Sequence, residues 1–364
     1  MTQGKELGRW GAEEASRGIS RRDFVRGAVG TATGLAAFGL VRNTRGNWRV
    51  SPFASRAVLP TVSMQLLWIK NVQFAGEFVA ASKGYYRQAG VNVNLLPGGT
   101  TITPDPIVAS GKALLGISSP SLTGAAVASG ADLKIVGAQY QKNPDVIVSL
   151  AKKPIRNLHE IVGKRIGVQA NIRSVWDAFV AVNHLQGKVT TVPVQDDPSL
   201  VVSGDIDGFL GFYTNEAVTL EVDGYKTVNL FLQDYGLPML YETYCVRTSS
   251  LSDPAEREQI KSVILGDIKG WREEIADPGL GVNLVLNSYG KNLGLKAKQQ
   301  TAQAKAEVAL YASPGTKAHG LFWMSNEAIS QSVKTLGRAG VKISPSLFTN
   351  ELLVEIYEEN PSLR

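Results

Sequence analysis

The residues of this chain that could do chemistry are aromatic rings with carboxamides beside them. Trp68, Asn71, Gln73 and Phe74 follow an apolar run that begins at Val62. A flat aromatic face with neighbouring amides can stack on a planar heterocycle and hydrogen-bond to its edges. Packing in a core is the alternative for Trp68 and, more strongly, for Phe74. The pattern favours binding of a ring over catalysis.

Further polar groups stand at predicted strand ends and helix starts. Ser118 and Ser119 precede Pro120, so they either cap a helix or present hydroxyls to a ligand. Gln139 and Tyr140 close a predicted strand, where an ordinary loop is the alternative to a cleft rim. Ligands of open α/β sheets bind at the carboxyl ends of strands. All four residues therefore enter the candidate binding set.

A second group follows the predicted strand at 164–169. Gln169 and Asn171 lie where this strand joins a helix, and free N–H groups at such a junction favour an acceptor or an anion. Arg173 could bind a carboxylate or phosphate with both arms of its guanidinium, or lie exposed on the surface. Trp176 could form the opposite wall of an aromatic clamp, or pack internally.

A third group follows the predicted strand at 206–212. Its candidate binding residues are Tyr213, Asn215 and Glu216. For Glu216 the alternative is an acidic residue that stabilises a helix N-terminus, because the sequence would be the same in both cases. The pair Asp196-Asp197 could attract a cation, but we interpret it as a structural loop pair.

The sequence lacks the usual signatures of an enzyme or a metal site. Cys245 is the single cysteine, and His159, His184 and His319 show no metal-ligand spacing. Nucleophile elbows, phosphate-binding loops and HExxH motifs are absent. We therefore expect no catalytic residue, no metal and no cofactor.

The N-terminal segment is typical of an export signal. Arg21-Arg22 precedes an uncharged run at 28–41, as in a twin-arginine leader. The run is shorter than the roughly 20 residues that span a bilayer. We expect cleavage after Ala57, which makes 1–57 the signal peptide and the mature protein periplasmic or otherwise extracytoplasmic.

Charge supports no nucleic-acid or anionic-membrane partner. The chain has 38 Lys/Arg and 32 Asp/Glu, of which ten and four lie in residues 1–57. The remainder carries 28 of each, so the net charge of +6 belongs to the leader. A basic surface that would bind polyanions is thus not expected in the mature part.

Strand-like and helix-like segments alternate after Val62, which predicts an α/β fold with mainly parallel sheets. The expected strands are 62–69, 91–96, 113–117, 133–139, 164–169, 189–194, 206–212, 225–232 and 242–247. The expected helices include 78–89 and 174–184, and the chain beyond 255 is mostly helical. Two similar blocks predict lobe I at 58–150 and 247–364, and an inserted lobe II at 151–246, with a cleft between two doubly wound lobes.

Several segments resemble a family of periplasmic substrate-binding proteins of ABC importers. They are Trp68–Gly76 (WIKNVQFAG), Phe78–Ala80, Gly84–Tyr86, Gly90–Val93, Val162–Val168 (VGKRIGV) and Gly204–Gly208. The family serves importers of thiamine pyrimidine precursors, riboflavin, nitrate, taurine and alkanesulfonates. The resemblance implies a type II, Venus-flytrap fold, a small-molecule ligand, a membrane permease as partner and a monomeric state. The twin-arginine translocase would be a further partner during export.

The resemblance also indicates which ligands, and which other function, are the alternatives for this chain. A flat heterocycle, a pyrimidine precursor or riboflavin, is the preferred ligand, and an acidic residue near Glu216 contacts the ligand in pyrimidine-binding relatives. An aliphatic sulfonate, taurine or nitrate held by Arg173 is the alternative in the same class. A secreted enzyme like the related pyrimidine-precursor synthase is the alternative of another class, but its cysteine-rich segment is absent from this sequence.

Overall fold

The computed structural model describes residues 38–42, 48–52 and 58–364. Phe38–Arg42 (β1) pairs antiparallel with Trp48–Pro52 (β2), and this hairpin belongs to a unit separate from Leu59–Arg364. The twin-arginine motif and the expected cleavage site lie outside the described residues, so export by that route stays a prediction. Within the part of the chain that is described, no helix is both long and apolar enough to cross a membrane.

Two five-stranded sheets organise the larger unit. The first has the order β4-β3-β5-β12-β6, and the second has the order β11-β7-β10-β8-β9. In each sheet one strand, β12 or β7, runs antiparallel to its neighbours. The strands are β3 (Thr61–Gln65), β4 (Asn92–Leu96), β5 (Leu115–Ser118), β6 (Leu133–Tyr140), β7 (Asp145–Leu150), β8 (Arg165–Val168), β9 (Thr190–Pro193), β10 (Gly208–Phe212), β11 (Thr227–Phe231) and β12 (Tyr241–Arg247).

The antiparallel strands are exchanged between the sheets. β7 follows β6 in the chain but pairs with β10 and β11, whereas β12 follows β11 but pairs with β5 and β6. The chain therefore passes between the sheets at 141–144 and 232–240. The lobe boundaries expected from the sequence, at 150 and 247, each lie about one strand further along the chain than these passages. The boundaries of the lobes themselves stay a prediction. The α/β class with two lobes is confirmed.

Helices cover the sheets. They are α1 (Ala75–Lys83), α2 (Tyr85–Gln88), α3 (Pro104–Ala109), α4 (Pro120–Ala128), α5 (Arg173–Val182), α6 (Ser199–Ser203), α7 (Val218–Val222), α8 (Thr248–Ser252), α9 (Pro254–Ala276), α10 (Gly279–Leu284), α11 (Ala297–Glu307), α12 (Pro314–His319), α13 (Asn326–Arg338) and α14 (Glu351–Glu359). The predicted helix 78–89 is two helices, because Gly84 takes φ 75° and ends α1. α9 crosses α1 closely, since a Cβ on Gly270 would lie 2.1 Å from the Gly76 carbonyl oxygen.

Burial differs among the strands, and the edge strand β6 is almost as buried as the interior strands. All residues of the interior strands β5, β7 and β10 are buried, and the edge strands β4 and β9 are half-exposed. Separate apolar cores cover the first sheet and the two faces of the second sheet. Strand ends of both sheets consequently remain available to face a common cleft.

Candidate ligand-binding cleft

The carboxyl ends of β3, β8 and β10 converge on a small cavity, which we call the inner cavity. Its volume is about 30 Å³, which is room for a single water molecule. Its lining is Leu67, Trp68, Gln73, Gln169, Asn171, Ile172, Gly211, Phe212, Asn215 and Glu216. Residues that follow the first sheet and residues that follow the second thus share one cavity, as the strand-end rule for ligand sites requires.

The first-sheet wall is fixed by a tight turn after β3. The Asn71 side chain accepts a hydrogen bond from the Gln73 backbone N–H at 3.1 Å and starts the 3-10 turn Val72–Phe74. Gln73 then donates its amide N–H to the carboxyl of Glu242, which is fully buried. Glu242 takes φ 44°, an unusual backbone conformation for a residue other than glycine. These contacts hold the Gln73 side chain at the cavity wall.

The second-sheet wall follows β8 directly. Asn171 lies in the 3-10 turn Ala170–Ile172, and its backbone N–H donates to the Thr100 carbonyl at 3.0 Å. Thr100 also donates its hydroxyl to the Gln195 side chain at 2.8 Å. Thr100 follows β4 of the first sheet, so these bonds join the two lobes beside the cavity.

Three polar atoms of the lining have no hydrogen-bond partner within the described residues. They are Trp68 Nε1, Gln169 Nε2 and Asn171 Oδ1, and all three side chains are at most 5% exposed. Buried polar groups in folded proteins are nearly always paired, because an unpaired one costs free energy. Because these atoms belong to residues that line the cavity, they are candidate donors and a candidate acceptor for a bound molecule.

Glu216 supplies the carboxyl group of the inner cavity. It lies on a π-helical turn, Tyr213–Ala217, and folds back over Gly211 at the end of β10. Its carboxyl accepts hydrogen bonds from the Phe212 backbone N–H at 2.7 Å and from the Asn215 amide at 3.1 Å. Burial, followed by the charge of Asp196, raises the pKa of Glu216 to about 8. Because burial favours the uncharged form, the protonated Glu216 can donate its proton to a hydrogen bond.

A second cavity, the outer cavity, adjoins the first. Its volume is about 170 Å³, and it shares Trp68, Asn215 and Glu216 with the inner cavity. The rest of its lining is Ile69, Asn71, Asp196, Pro198, Thr219, Gly294, Leu295, Lys296, Gln299 and Gln300. α11 and the loop before it form one wall, so three separate parts of the chain meet here.

The ionisable groups of the two cavities are mostly acidic. Glu216 is the single ionisable side chain in the lining of the inner cavity. Asp196, Glu216 and Lys296 line the outer cavity, and the Lys296 ammonium pairs with Asp223 at 2.7 Å. An anion entering either cavity would meet a carboxyl group and no free cation among these lining residues.

Seven of the predicted binding residues line the joined cavities, namely Trp68, Asn71, Gln73, Gln169, Asn171, Asn215 and Glu216. Phe74 and Trp176 lie elsewhere, in the cores of the first and second sheets. Trp176 stacks on Phe179 with ring centroids 5.8 Å apart, and its indole N–H donates to the Thr191 hydroxyl at 2.8 Å. Trp176 is therefore not an opposite wall of an aromatic clamp in this structure, because the apolar stripe of α5 turns it inward.

Arg173 and Tyr213 also lie away from both cavities. Arg173 lines another surface depression, which shares Gln169 with the inner cavity. It is more than half exposed and pairs with Asp177 at 2.8 Å one turn along α5. Tyr213 donates its hydroxyl to the Ala306 carbonyl at 3.3 Å and packs against Phe231. Among the described residues, no guanidinium lines the inner or the outer cavity.

Ser118 ends β5 of the first sheet, Ser119 precedes α4, and neither lines the inner or the outer cavity. Ser118 donates its hydroxyl to the buried carboxyl of Asp105 at 2.5 Å. Ser119 caps α4 by accepting from the Leu122 backbone N–H at 3.3 Å. Both hydroxyls thus serve local structure, which was the open alternative for this pair.

Gln139 and Tyr140 belong to a buried polar network beneath the first sheet. Gln139 donates its amide to Glu77 and to the Tyr244 hydroxyl, the latter at 2.8 Å. Tyr140 packs edge-on against Tyr311 with ring centroids 5.3 Å apart. The pKa of Glu77 is raised to about 7, mainly by burial. β12, Glu77 of α1 and Tyr311 beyond α11 contact this end of β6, so neither residue reaches a cleft rim.

Some lining residues carried a signal that sequence reasoning passed over. Asp196 stands just beyond β9, at a strand end like Gln169, although we interpreted it as structural. Leu67 and Phe212 flank predicted binding residues and supply apolar walls. Gln299 and Gln300 come from a helix far along the chain, and no local pattern marks them as neighbours of Trp68.

Comparison with known proteins places this arrangement in context. The model of a family described as NMT1/THI5 like matches residues 71–280. The chain is similar to the riboflavin-binding protein RibY of Chloroflexus aurantiacus, at 23% identity over 82% of this chain and 88% of that protein. It is also similar to the formylaminopyrimidine-binding protein of Halalkalibacterium halodurans, at 23% identity over 63% of this chain and 71% of that protein.

A solved structure confirms the fold. The alkanesulfonate-binding protein SsuA of Xanthomonas axonopodis pv. citri superposes with a TM-score of 0.58. The identity is 15%, and the match covers 80% of this chain and 97% of that one. At this identity the likeness concerns the periplasmic binding-protein fold alone.

Proposed function

Because the chain belongs to the NMT1/THI5-like family, we propose that it is the extracytoplasmic solute-binding component of an ABC importer. We further propose that it binds a flat, uncharged nitrogen heterocycle, such as a flavin or a pyrimidine precursor of thiamine. The ligand enters between the lobes, contacts both of them, and favours the closed form by its higher affinity for that form. The closed form is then recognised by a membrane permease.

The observation that carries this proposal is the composition of the inner cavity. Apolar walls from Leu67, Phe212 and the Trp68 ring surround the unpartnered atoms of Trp68, Gln169 and Asn171. Nitrogen heterocycles present hydrogen-bonding edges and apolar faces, so both kinds of wall find a partner. A neutral Glu216 adds a donor to the same set.

An anion is the weaker candidate. A sulfonate or nitrate would need donors that carry or balance its charge, and Arg173 was the expected source. Arg173 lies outside both cavities and is already paired with Asp177. At a pH below the pKa of Glu216, the neutral carboxyl group would not repel an anion. At a pH above this pKa, the carboxylate would repel it. The SsuA likeness therefore supports the fold and not this class of ligand.

Titration of tryptophan fluorescence with riboflavin, a formylaminopyrimidine and taurine tests the proposal, with thermal unfolding as a second readout. We expect a heterocycle, and not taurine, to quench fluorescence and raise Tm. Trp68→Phe removes the indole N–H and should weaken binding at least tenfold. Trp176→Phe is the matched control, because that indole lies in a core, and it should leave the affinity within about twofold.

Two results would contradict the proposal. Taurine binding that depends on Arg173 would replace the heterocycle by an anion. Equal losses of affinity in Trp68→Phe and Trp176→Phe would mean that the inner cavity is not the site. Recovery of the ligand after prolonged incubation separates binding from turnover, since a binding protein returns it unchanged.

A further inference from the structure

We propose that the outer cavity is a second subsite, which binds a polyhydroxyl chain attached to the ring and selects against a phosphate on that chain. The inference rests on the proposed function, because it assumes that the ring occupies the inner cavity. It divides the ligand into two parts with different chemistry. The ring would lie between apolar walls, and the chain would lie among amides and acids.

The first argument is continuity. Trp68, Asn215 and Glu216 line both cavities, so a molecule that fills the inner cavity extends directly into the outer one. The inner cavity has a volume of about 30 Å³ and the outer one about 170 Å³. A substituent on the ring therefore has more room in the outer cavity than the ring has in the closed inner one.

The second argument is the lining. Four carboxamides line the outer cavity, namely Asn71, Asn215, Gln299 and Gln300. Carboxamides both donate and accept, as hydroxyl groups do, so a row of hydroxyls can pair with them in either sense. Four carboxamides also line the inner cavity, namely Gln73, Gln169, Asn171 and Asn215, but a larger share of its surface is apolar, with Leu67, Ile172 and Phe212 in its wall.

These amides are held in place before a ligand arrives. Gln299 donates to Asn215 at 3.1 Å, and Gln300 accepts from the Val72 backbone N–H at 2.9 Å. The Gln299–Asn215 bond joins α11 to the π-helical turn that carries Glu216. A polyol chain in this cavity would thus touch residues that already connect the two lobes, and side chains fixed in advance lose less entropy on binding.

The third argument is charge. A phosphate monoester carries about −1.5 to −2 at pH 7. In the outer cavity it would meet Asp196, which is in no ion pair among the described residues, whereas Lys296 is already engaged by Asp223. Like charges within a partly enclosed cavity repel, so the unphosphorylated chain is favoured.

Three flavins with the same ring system test the inference on the full-length protein. Riboflavin carries the polyol chain, lumiflavin carries a methyl group in its place, and riboflavin 5′-phosphate adds the phosphate. We expect riboflavin to bind at least tenfold more tightly than either of the others in fluorescence titration. Gln299→Ala should reduce the preference for riboflavin over lumiflavin.

A matched pair of acidic substitutions tests the charge argument without disturbing the fold. The measured quantity is the ratio of the affinity for riboflavin to the affinity for riboflavin 5′-phosphate. Asp196→Asn should lower this ratio at least threefold. Both carboxylates are exposed, but Asp197 does not line the cavity, so Asp197→Asn should change the ratio less than Asp196→Asn does.

The outcomes separate this inference from the proposed function. Equal affinity for all three flavins, or equal effects of Asp196→Asn and Asp197→Asn, overturns the second subsite and leaves ring binding intact. Binding of a formylaminopyrimidine without any flavin also overturns the subsite and leaves the proposed function standing. Failure of every heterocycle to bind overturns both.

Discussion

A single methyl group at Gly211 should disturb Glu216 directly. A Cβ built on Gly211 would lie 2.5 Å from Glu216 Oε2 and 2.6 Å from its Cδ. Carbon atoms in ordinary contact are about 3.5–4.0 Å apart, so the carboxyl group would have to move by about 1 Å. The backbone itself accepts alanine, because Gly211 lies within β10 and is not among the residues with positive φ.

The expected cost follows from what Glu216 would lose. The 2.7 Å hydrogen bond from the Phe212 backbone N–H would break, which leaves a buried donor unpaired at a cost of about 1–3 kcal/mol. Replacing a strand glycine by alanine returns about 0.5–1 kcal/mol. We therefore expect Gly211→Ala to lower the free energy of unfolding by about 1 kcal/mol, and by no more than about 2.5 kcal/mol.

The expected steric clash between a methyl group on Gly211 and the Glu216 carboxyl group is tested by repeating the substitution in a protein that lacks this carboxyl group. In a Glu216→Ala background the added methyl group has free space, so Gly211→Ala should be neutral or slightly stabilising. Urea unfolding of the four proteins gives the coupling energy, which should exceed about 1 kcal/mol for residues in contact. If Gly211→Ala costs the same in both backgrounds, the reasoning is refuted.

Three further predictions concern other parts of the larger unit. Burial raises the pKa of Asp145, Glu216 and Glu307 to about 8, so the native state binds more protons than the unfolded state between pH 5 and 8. The free energy of unfolding should therefore fall with rising pH in that window by at least about 1.4 kcal/mol per unit, and a flat profile would contradict this. Gly337→Ala in α13 meets no atom within 4 Å and should stabilise by about 0.5–1 kcal/mol in urea unfolding. Arg173→Ala removes only an exposed i,i+4 pair, so it should cost less than about 0.5 kcal/mol and leave ligand affinity unchanged in titration.

The local sequence pattern predicted most of the strands, but it did not predict how the strands are distributed between the two sheets. The alternation of segments located β8 and β10 near their observed positions. β7 was missed, although all six of its residues are buried, because it lies beside the passage between lobes. That β7 and β12 exchange sheets depends on long-range pairing, which short-range periodicity does not contain.

The same difference between local sequence pattern and long-range packing explains which residues of the candidate site could be predicted. The strand-end rule selected Trp68, Gln169 and Glu216, which line the inner cavity because the carboxyl ends of parallel strands share an edge. Their role in ligand binding stays a prediction. It could not find Gln299, which reaches the outer cavity from α11 through tertiary packing. Trp176 shows the opposite error, since its spacing with Val175 and Phe179 already marked the buried stripe of α5.

The geometry of the inner cavity has a consequence for affinity. A cavity of about 30 Å³ cannot admit a ring while Asn171 and Thr100 are hydrogen-bonded across the lobes. Under the proposed function, the lobes would have to part for entry, and the side chains would settle around the ring afterwards. The observed affinity is then the contact energy with both walls, less the free energy of opening the contacts that close the empty form. Residues such as Thr100, which touch the opposite lobe and not the cavity, should therefore tune affinity without changing which ligand is chosen.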